Sequence, residues 1–370
     1  MNTLTSPPKH RARFHPLTVS NVERLTDDAV AVSFALEDGM WQEYEFQPGQ
    51  HLTLRIEIDG QEVRRSYSIC RSRNDATARR ELRVAAARIA NGLMSNWLND
   101  KVKVGDVIDV MTPTGSFTCP TNPQATKHHV AIAGGSGITP VMSLLKSALE
   151  EEPNSSATLI FGNRHTGSIM FLEELEDLKN AYPARFQLIN VLDQEASDVD
   201  LFSGMLNKER LTAIVDNLVP ADTVDEWYLC GPYPMVEGAQ QLLEERGVDD
   251  HNIHHELFRV DGQDEPEPVV EVDTSKPPEA VVTVTLDGRT TVVEMPTKAE
   301  SILSATLRLR ADAPYACRGG VCGTCRARLV EGEVTMTRNF ALEPDEVAAG
   351  IVLACQAHPV TEKVVLDYDA

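Results

Sequence analysis

The chain has 370 residues, 42% of them hydrophobic, with 34 Lys and Arg against 56 Asp and Glu for a formal charge of −22. That length suffices for two or three domains with sizeable cores. The acid excess repels phosphate backbones and anionic lipid, which argues against nucleic-acid and membrane partners and suits either docking on a basic protein face or solubility alone.

Residues 12–122 read as short alternating strands, TVSNVERL, AVAVSFAL, HLTLRIEI, VRRSYSIC and ELRVAAARI, divided by EDG, QPGQ and IDG and interrupted by one helical patch, LMSNWLND. Such spacing predicts a small antiparallel β-barrel or sandwich. Over 123–260 buried-type strands alternate with helices: HHVAIAGG with PVMSLLKSALEE, ATLIFGN with FLEELEDLKNAY, RFQLINVL with LNKERLTAIVDNL, and DEWYLCG with PMVEGAQQLLEERG, before NIHHELF. This is the pattern of an α/β doubly wound parallel sheet. Residues 261–280 carry four prolines and seven carboxylates against one lysine, so an extended linker is expected. From 281 to 370 a third, smaller α+β domain opens with a hairpin at Asp287-Gly288. A helix over 298–309 should follow, started by a capping box between Thr297 and Glu300.

No stretch reads as a membrane span, because VAIAGGSGITPVMSLL is broken by Gly, Ser, Thr and Pro. MNTLTSPPKHRARF lacks the apolar centre of a secretory signal, so a cytoplasmic location is expected, where disulfides are disfavoured. Seven cysteines are present, three scattered and four C-terminal. Cys317, Cys322 and Cys325 lie in the single loop CRGGVCGTC and Cys355 lies downstream. Zinc ribbons prefer two similar close pairs. The C-x4-C-x2-C…C spacing instead matches a plant-type [2Fe–2S] site, with zinc as the alternative. Gly319, Gly320 and Gly323 are expected to supply positive φ and close backbone approach around it.

Further motifs sit at element ends. Arg65-Ser66-Tyr67-Ser68 ends a strand, with a fork of donors, a ring and hydroxyls suited to phosphate and a flat heterocycle. Gly92-Leu93-Met94-Ser95 opens the helical patch, and Gly134-Gly135-Ser136-Gly137-Ile138-Thr139-Pro140 lies between strand and helix, both suited to phosphate at a helix start. Cys230-Gly231-Pro232 follows a strand of the parallel sheet, at the end where ligands bind in such folds. At the end of the second strand, Asn163-Arg164 offers no acid for ribose hydroxyls, and Arg164 can pair with a 2′-phosphate, which favours NADPH over NADH.

RSYS, GLMS, GGSGITP and CGP, in this order, resemble the ferredoxin–NADP reductase superfamily, and CRGGVCGTC with Cys355 resembles plant-type ferredoxins. The likeness covers essentially the whole chain and looks like the reductase components of bacterial multicomponent oxygenases. FGNRHTGSIMFLEELEDLKN and NFALEPDEVAAGIVLACQAHPVTEKVVLDYD are most similar to reductase subunits of ring-1,2-phenylacetyl-CoA epoxidases, with reductases of steroid 9α-hydroxylases as close relatives. The resemblance implies a flavin-binding barrel, a nucleotide-binding α/β domain and a β-grasp ferredoxin domain, with FAD, NADPH and a [2Fe–2S] cluster as cofactors. It implies that His51, Arg65, Ser66, Tyr67 and Ser68 line the FAD site and that Gly92, Met94 and Ser95 hold its diphosphate. Gly135, Gly137, Thr139, Arg164, Cys230, Gly231 and Pro232 would receive the nicotinamide coenzyme, with Ser68, Cys230 and Glu256 around the reacting atoms. Phe258 would close the far side of the flavin, and Phe117 would approach it or be buried. The chain departs from the family pattern at Ala87 and at Asn91, where lysine and glycine are usual. The implied partner is an oxygenase component with di-iron epoxidase subunits. The competing readings are a reductase for a Rieske-type hydroxylase and a non-catalytic redox-sensing iron–sulfur subunit.

Overall fold

The computed structural model describes residues 12–258 and 277–370. They fall into two compact units that part after Phe258. In the first, β1 (Phe14–Thr26), β2 (Ala29–Ala35), β3 (His51–Ile58), β4 (Gln61–Ser68), β5 (Glu81–Ala87) and β6 (Val107–Met111) form one sheet in the order β4-β3-β6-β1-β2-β5. Every ladder in it is antiparallel. Beyond β4, Ile69 bridges Val84 of β5, and the Cys70 N–H donates to the Arg83 carbonyl at 2.9 Å, so the two edges meet as a barrel. Closure removes the unpaired edges that an open sheet would expose.

The barrel departs from expectation in two places. A short helix, α1 (Arg73–Arg79), precedes β5, and it buries only Ala76. With no apolar stripe to announce it, it rests on its ends: the Ser72 hydroxyl accepts from the Asp75 N–H, and Arg80 takes a left-handed φ of 50°. Strand β6 is five residues, VIDVM, too short to stand out among the surrounding turns. The expected helix over LMSNWLND forms as α2 (Leu93–Asp100).

The same unit continues with β7 (His128–Gly134), α3 (Ile138–Glu151), β8 (Ser156–Asn163), α4 (Leu172–Ala181), β9 (Phe186–Leu192), α5 (Lys208–Leu218), β10 (Glu226–Cys230), α6 (Tyr233–Glu245) and β11 (Ile253–Glu256). The strands pair in parallel in the order β11-β10-β7-β8-β9, so the winding direction reverses between β7 and β10. Alternation in the barrel's AVAV and VAAA runs explains why barrel and sheet cohere. Val30, Val32, Leu82 and Val84 point into the barrel core. Ala29, Ala31 and Ala85 face the other way and join a core with Ala131, Met142 and Phe171. Small side chains on that face let the two layers approach closely.

The second unit opens with the hairpin β12 (Ala280–Leu286) and β13 (Arg289–Met295). Asp287 and Gly288 turn it with φ of 55° and 66°, the geometry of a two-residue type I′ turn. The Asp369 carboxylate accepts both of their N–H groups, at 2.9 and 2.7 Å. The remaining elements are α7 (Ile302–Leu307), β14 (Arg326–Glu331), β15 (Val334–Met336), α8 (Pro344–Ala348), β16 (Ile351–Leu353), β17 (Ala357–Pro359) and β18 (Lys363–Asp367). The main sheet runs β13-β12-β18-β14-β16, with β12 and β18 parallel at its centre, the arrangement of a small β-grasp-like fold.

Helix α7 starts later than expected. Its cap is Ser301, whose hydroxyl accepts from the Ser304 N–H, whereas Thr297 only closes a turn on the Ala299 N–H. Starting at Ser301 puts Ile302, Leu303 and Ala305 in the core against Val282, Val284 and Leu366. The linker expected over 261–280 lies outside the described residues as far as 276, and Ala280 already belongs to β12. Among the described residues no helix is long and apolar enough to cross a membrane.

Candidate functional site

The carboxyl ends of β7 and β10 sit side by side at the point where the sheet changes direction, the position at which open α/β sheets bind ligands. Only glycine fits where their loops meet: a Cβ on Gly137 would lie 2.1 Å from the Cys230 carbonyl oxygen. The loop therefore offers backbone at close range, with Gly135 half-buried and the Thr139 hydroxyl donating to the Ser136 carbonyl at 3.1 Å. Cys230 is fully buried, half-buried Gly231 follows it, and the exposed Pro232 caps α6. Burial pushes the Cys230 thiol well above its ordinary range, with the nearby Glu256 charge adding to the effect, so it stays neutral.

Glu256 ends β11 opposite Cys230 in the parallel ladder. There it meets the barrel. The Ser68 hydroxyl, at the end of β4, donates to Glu256 Oε2 at 3.1 Å, and His51 Nδ1 lies 3.8 Å from Oε1. His51 is itself fixed through Nε2 and the Thr114 hydroxyl, 3.1 Å apart. Thus Ser68, His51, Glu256 and Cys230, spread over the sequence, come together where the barrel faces the carboxyl end of the sheet. Thr114 was not anticipated, and it enters through an isolated bridge to His51 that no local pattern announces.

Along β4, Arg65 is exposed, Ser66 shares a hydrogen bond with Thr53, and Tyr67 is half-buried, with burial raising its phenol. Gly92 caps α2, and a Cβ there would come within 2.4 Å of Ser95 Oγ. Ser95 Oγ is buried and has no partner among the described residues. An orphaned hydroxyl in the first turn of a helix fits a diphosphate acceptor. Met94 is 1% exposed and packs in the barrel core, so its side chain does not line a ligand surface. Asn91 takes a φ of 61°, a conformation asparagine tolerates where the usual residue is glycine. Phe117 is buried edge-on against Tyr228, with ring centroids 6.0 Å apart. Phe258 is 37% exposed at the end of the unit. Arg164 is exposed just after β8, and its Nη2 lies 2.5 Å from Asp28 Oδ2 on the β1–β2 turn.

In the second unit the four clustered thiols form two pairs. Cys322 shares a hydrogen bond with Cys317, which chiefly lowers the Cys317 thiol to about 7, helped by the Gly319 and Val321 N–H groups. Cys325 shares one with Cys355, which raises Cys325 and lowers Cys355. No three His, Cys, Asp or Glu among the described residues converge as a single ion would require. Four thiols at this spacing fit a [2Fe–2S] site, which takes four cysteine ligands. Of the loop glycines, Gly320 and Gly323 adopt φ of 78° and 65°, but Gly319 does not: Arg318 takes the left-handed position before it, at 54°. Two neighbours went unanticipated. The Thr324 hydroxyl sits 3.1 Å from Cys322 Sγ, and Gln356 Nε2 reaches the Arg318 carbonyl at 2.8 Å and Cys355 Sγ at 3.6 Å. Their signal was adjacency in sequence to one of the four clustered cysteines.

Comparison with known proteins assigns three domain families along the chain. Residues 16–119 match the oxidoreductase FAD-binding domain, 131–241 the oxidoreductase NAD-binding domain, and 284–360 the 2Fe-2S iron-sulfur cluster binding domain. The chain is 43% identical over 358 residues, 96% of its length and 98% of the relative's, to one of the subunits of 1,2-phenylacetyl-CoA epoxidase from Escherichia coli K12. It is 34% identical over 375 residues, the full length of both chains, to the ferredoxin reductase component of 3-ketosteroid-9-alpha-monooxygenase from Rhodococcus rhodochrous. The structure of phthalate dioxygenase reductase, described as modular for electron transfer from pyridine nucleotides to [2Fe–2S], shares the fold with a TM-score of 0.57. That match is 22% identical and covers 96% of this chain and 98% of the other.

Proposed function

The chain belongs to the ferredoxin–NADP reductase-type flavoproteins that carry their own 2Fe–2S domain, and from that premise we propose that it is the cytoplasmic reductase component of a di-iron phenylacetyl-CoA epoxidase, drawing electrons from NADPH. Its activity as an NAD(P)H-, FAD- and 2Fe–2S-dependent electron-transfer oxidoreductase follows from the three domains together. The choice of partner is carried by the 43% identity to the epoxidase component over 96% of the chain, against 34% for the steroid monooxygenase component.

A bound FAD would supply conversion of two-electron hydride chemistry into single-electron transfer, and a bound [2Fe–2S] cluster would supply a one-electron carrier. The chain's own residues prepare this. Ser95 Oγ, the Gly92 and Met94 backbone and the Arg65 fork hold the FAD diphosphate, Tyr67 offers its ring to the isoalloxazine, and Ser66 borders it. Glu256 fixes the Ser68 hydroxyl at the flavin edge. His51 lines the same edge, and Phe258 covers the far side. The neutral Cys230 thiol, with Gly231 and Pro232, borders the nicotinamide. Gly135, Gly137 and Thr139 cradle the coenzyme phosphates, and Arg164 takes the 2′-phosphate. Cys317 with Cys322, and Cys325 with Cys355, hold the two irons.

Reconstitution tests the assignment. The purified protein, the di-iron oxygenase components, phenylacetyl-CoA and NADPH should together give epoxide in step with NADPH oxidation. Failure there, with efficient reduction of a Rieske hydroxylase instead, would move the protein to the steroid or aromatic-ring systems. A flavin that neither NADPH nor NADH bleaches would leave only the redox-sensing reading.

A further inference from the structure

The corner that follows β8 has a feature the reductase activity does not require. Its cation, Arg164, is engaged by a carboxylate from a distant part of the chain: Asp28, 136 residues earlier, on the barrel's β1–β2 turn. Asp28 is well fixed. The Thr26 hydroxyl donates to Oδ1 at 2.9 Å, and the Arg88 N–H donates to its backbone carbonyl at 2.6 Å. Burial opposes its ionisation, but the hydrogen bonds from Thr26 and Arg164 prevail and hold the carboxyl below its usual value, so it is charged at neutral pH. Two other charged groups at this corner are already engaged. The Arg88 guanidinium grips Asp100 at 2.7 and 2.8 Å. Glu195 accepts the Thr166 N–H at 2.7 Å and its hydroxyl at 3.0 Å, beside His165. Both side chains of the Arg164–Asp28 pair remain open to solvent, at 52% and 39% exposure, so an incoming ligand can reach them.

Carboxylate and phosphate compete for the same forked donors. We propose that Asp28 is a specificity-determining residue, occupying the Arg164 guanidinium and so making the 2′-phosphate of NADPH displace it, a step that NADH does not require. The inference rests on the reading of Arg164 as the 2′-phosphate contact. It makes the barrel, through one turn residue, a determinant of preference in a coenzyme site built on the sheet.

The test measures kcat/KM with NADPH and with NADH, ferricyanide as acceptor, for the full-length holoenzyme and its Asp28→Asn, Arg164→Ala and double variants. Asparagine keeps an acceptor for the Thr26 hydroxyl, so the turn is retained, and flavin content checks folding. Asp28→Asn should raise kcat/KM for NADPH about two- to fivefold, the worth of an exposed ion pair, through KM and with NADH unchanged. Arg164→Ala should lower the NADPH preference and abolish the effect of Asp28→Asn in the double variant. If Arg164→Ala lowers that preference while Asp28→Asn changes nothing, or changes both coenzymes alike, the inference is wrong and the Arg164 assignment stands. If Arg164→Ala leaves the preference untouched, the NADPH assignment fails and takes the inference with it.

Discussion

A single hydroxyl separates a packing role from a binding role at the start of α2. Ser95 Oγ is buried without a partner among the described residues, which is unfavourable in the flavin-free protein and useful only if a ligand supplies an acceptor. Ser95→Ala should therefore leave the flavin-free protein as stable as before, or slightly more so, while weakening FAD binding about tenfold, the worth of one hydrogen bond to a charged group. Flavin titration and melting of the apoprotein read the two effects separately. Unchanged FAD affinity would make Ser95 a buried hydroxyl and nothing more. Residues of this kind were legible in the sequence because each sits in a short motif at an element end, as Ser68 and Cys230 do. The contacts that join residues distant in sequence were not. Asp28 meets Arg164, and Ser68 meets Glu256, across 136 and 188 positions, and only the fold brings them together.

At the scale of elements, Glu226 ties three strands at the amino-terminal edge of the parallel sheet. From β10 it accepts Lys127, which precedes β7, at 2.5 Å, and His254 of β11 at 2.9 Å. Burial works against its charge, but these two hydrogen bonds outweigh it and lower the carboxyl from 4.5 to about 2. A depressed carboxylate contributes stability that is complete above its unfolded value and is lost as pH falls from 4.5 through about 2. Glu226→Gln should thus cost about 1–2 kcal/mol at pH 7, and the gap to the parent should close across that acid window. Urea unfolding of the two proteins at several pH values checks it, and a gap independent of pH would show that the charge is not what matters. The strands that β10 joins were visible as apolar runs. Two parts were not: α1 has no apolar stripe and rests on a cap and a left-handed end, and β6, five residues long, is too short to stand out and rests on pairing with β1 and β3. The misplaced start of α7 has a related cause, since Thr297 and Ser301 can both cap and only the core chooses between them.

Over the whole molecule, the order of parts carries the functional argument: a flavin barrel and nucleotide sheet sharing one core, then a thiol-bearing β-grasp unit. Cysteine spacing alone left zinc open, and the match of residues 284–360 to the 2Fe-2S iron-sulfur cluster binding domain favours two irons. The most direct test is anaerobic titration of the purified protein with NADPH, followed by optical and EPR spectra, with Cys322→Ser in parallel. The parent should lose its yellow-brown flavin absorbance and develop the EPR signal of a reduced [2Fe–2S] centre, while Cys322→Ser bleaches equally and stays EPR-silent. A colourless protein containing zinc, or a parent whose flavin bleaches with no cluster signal, would contradict the account.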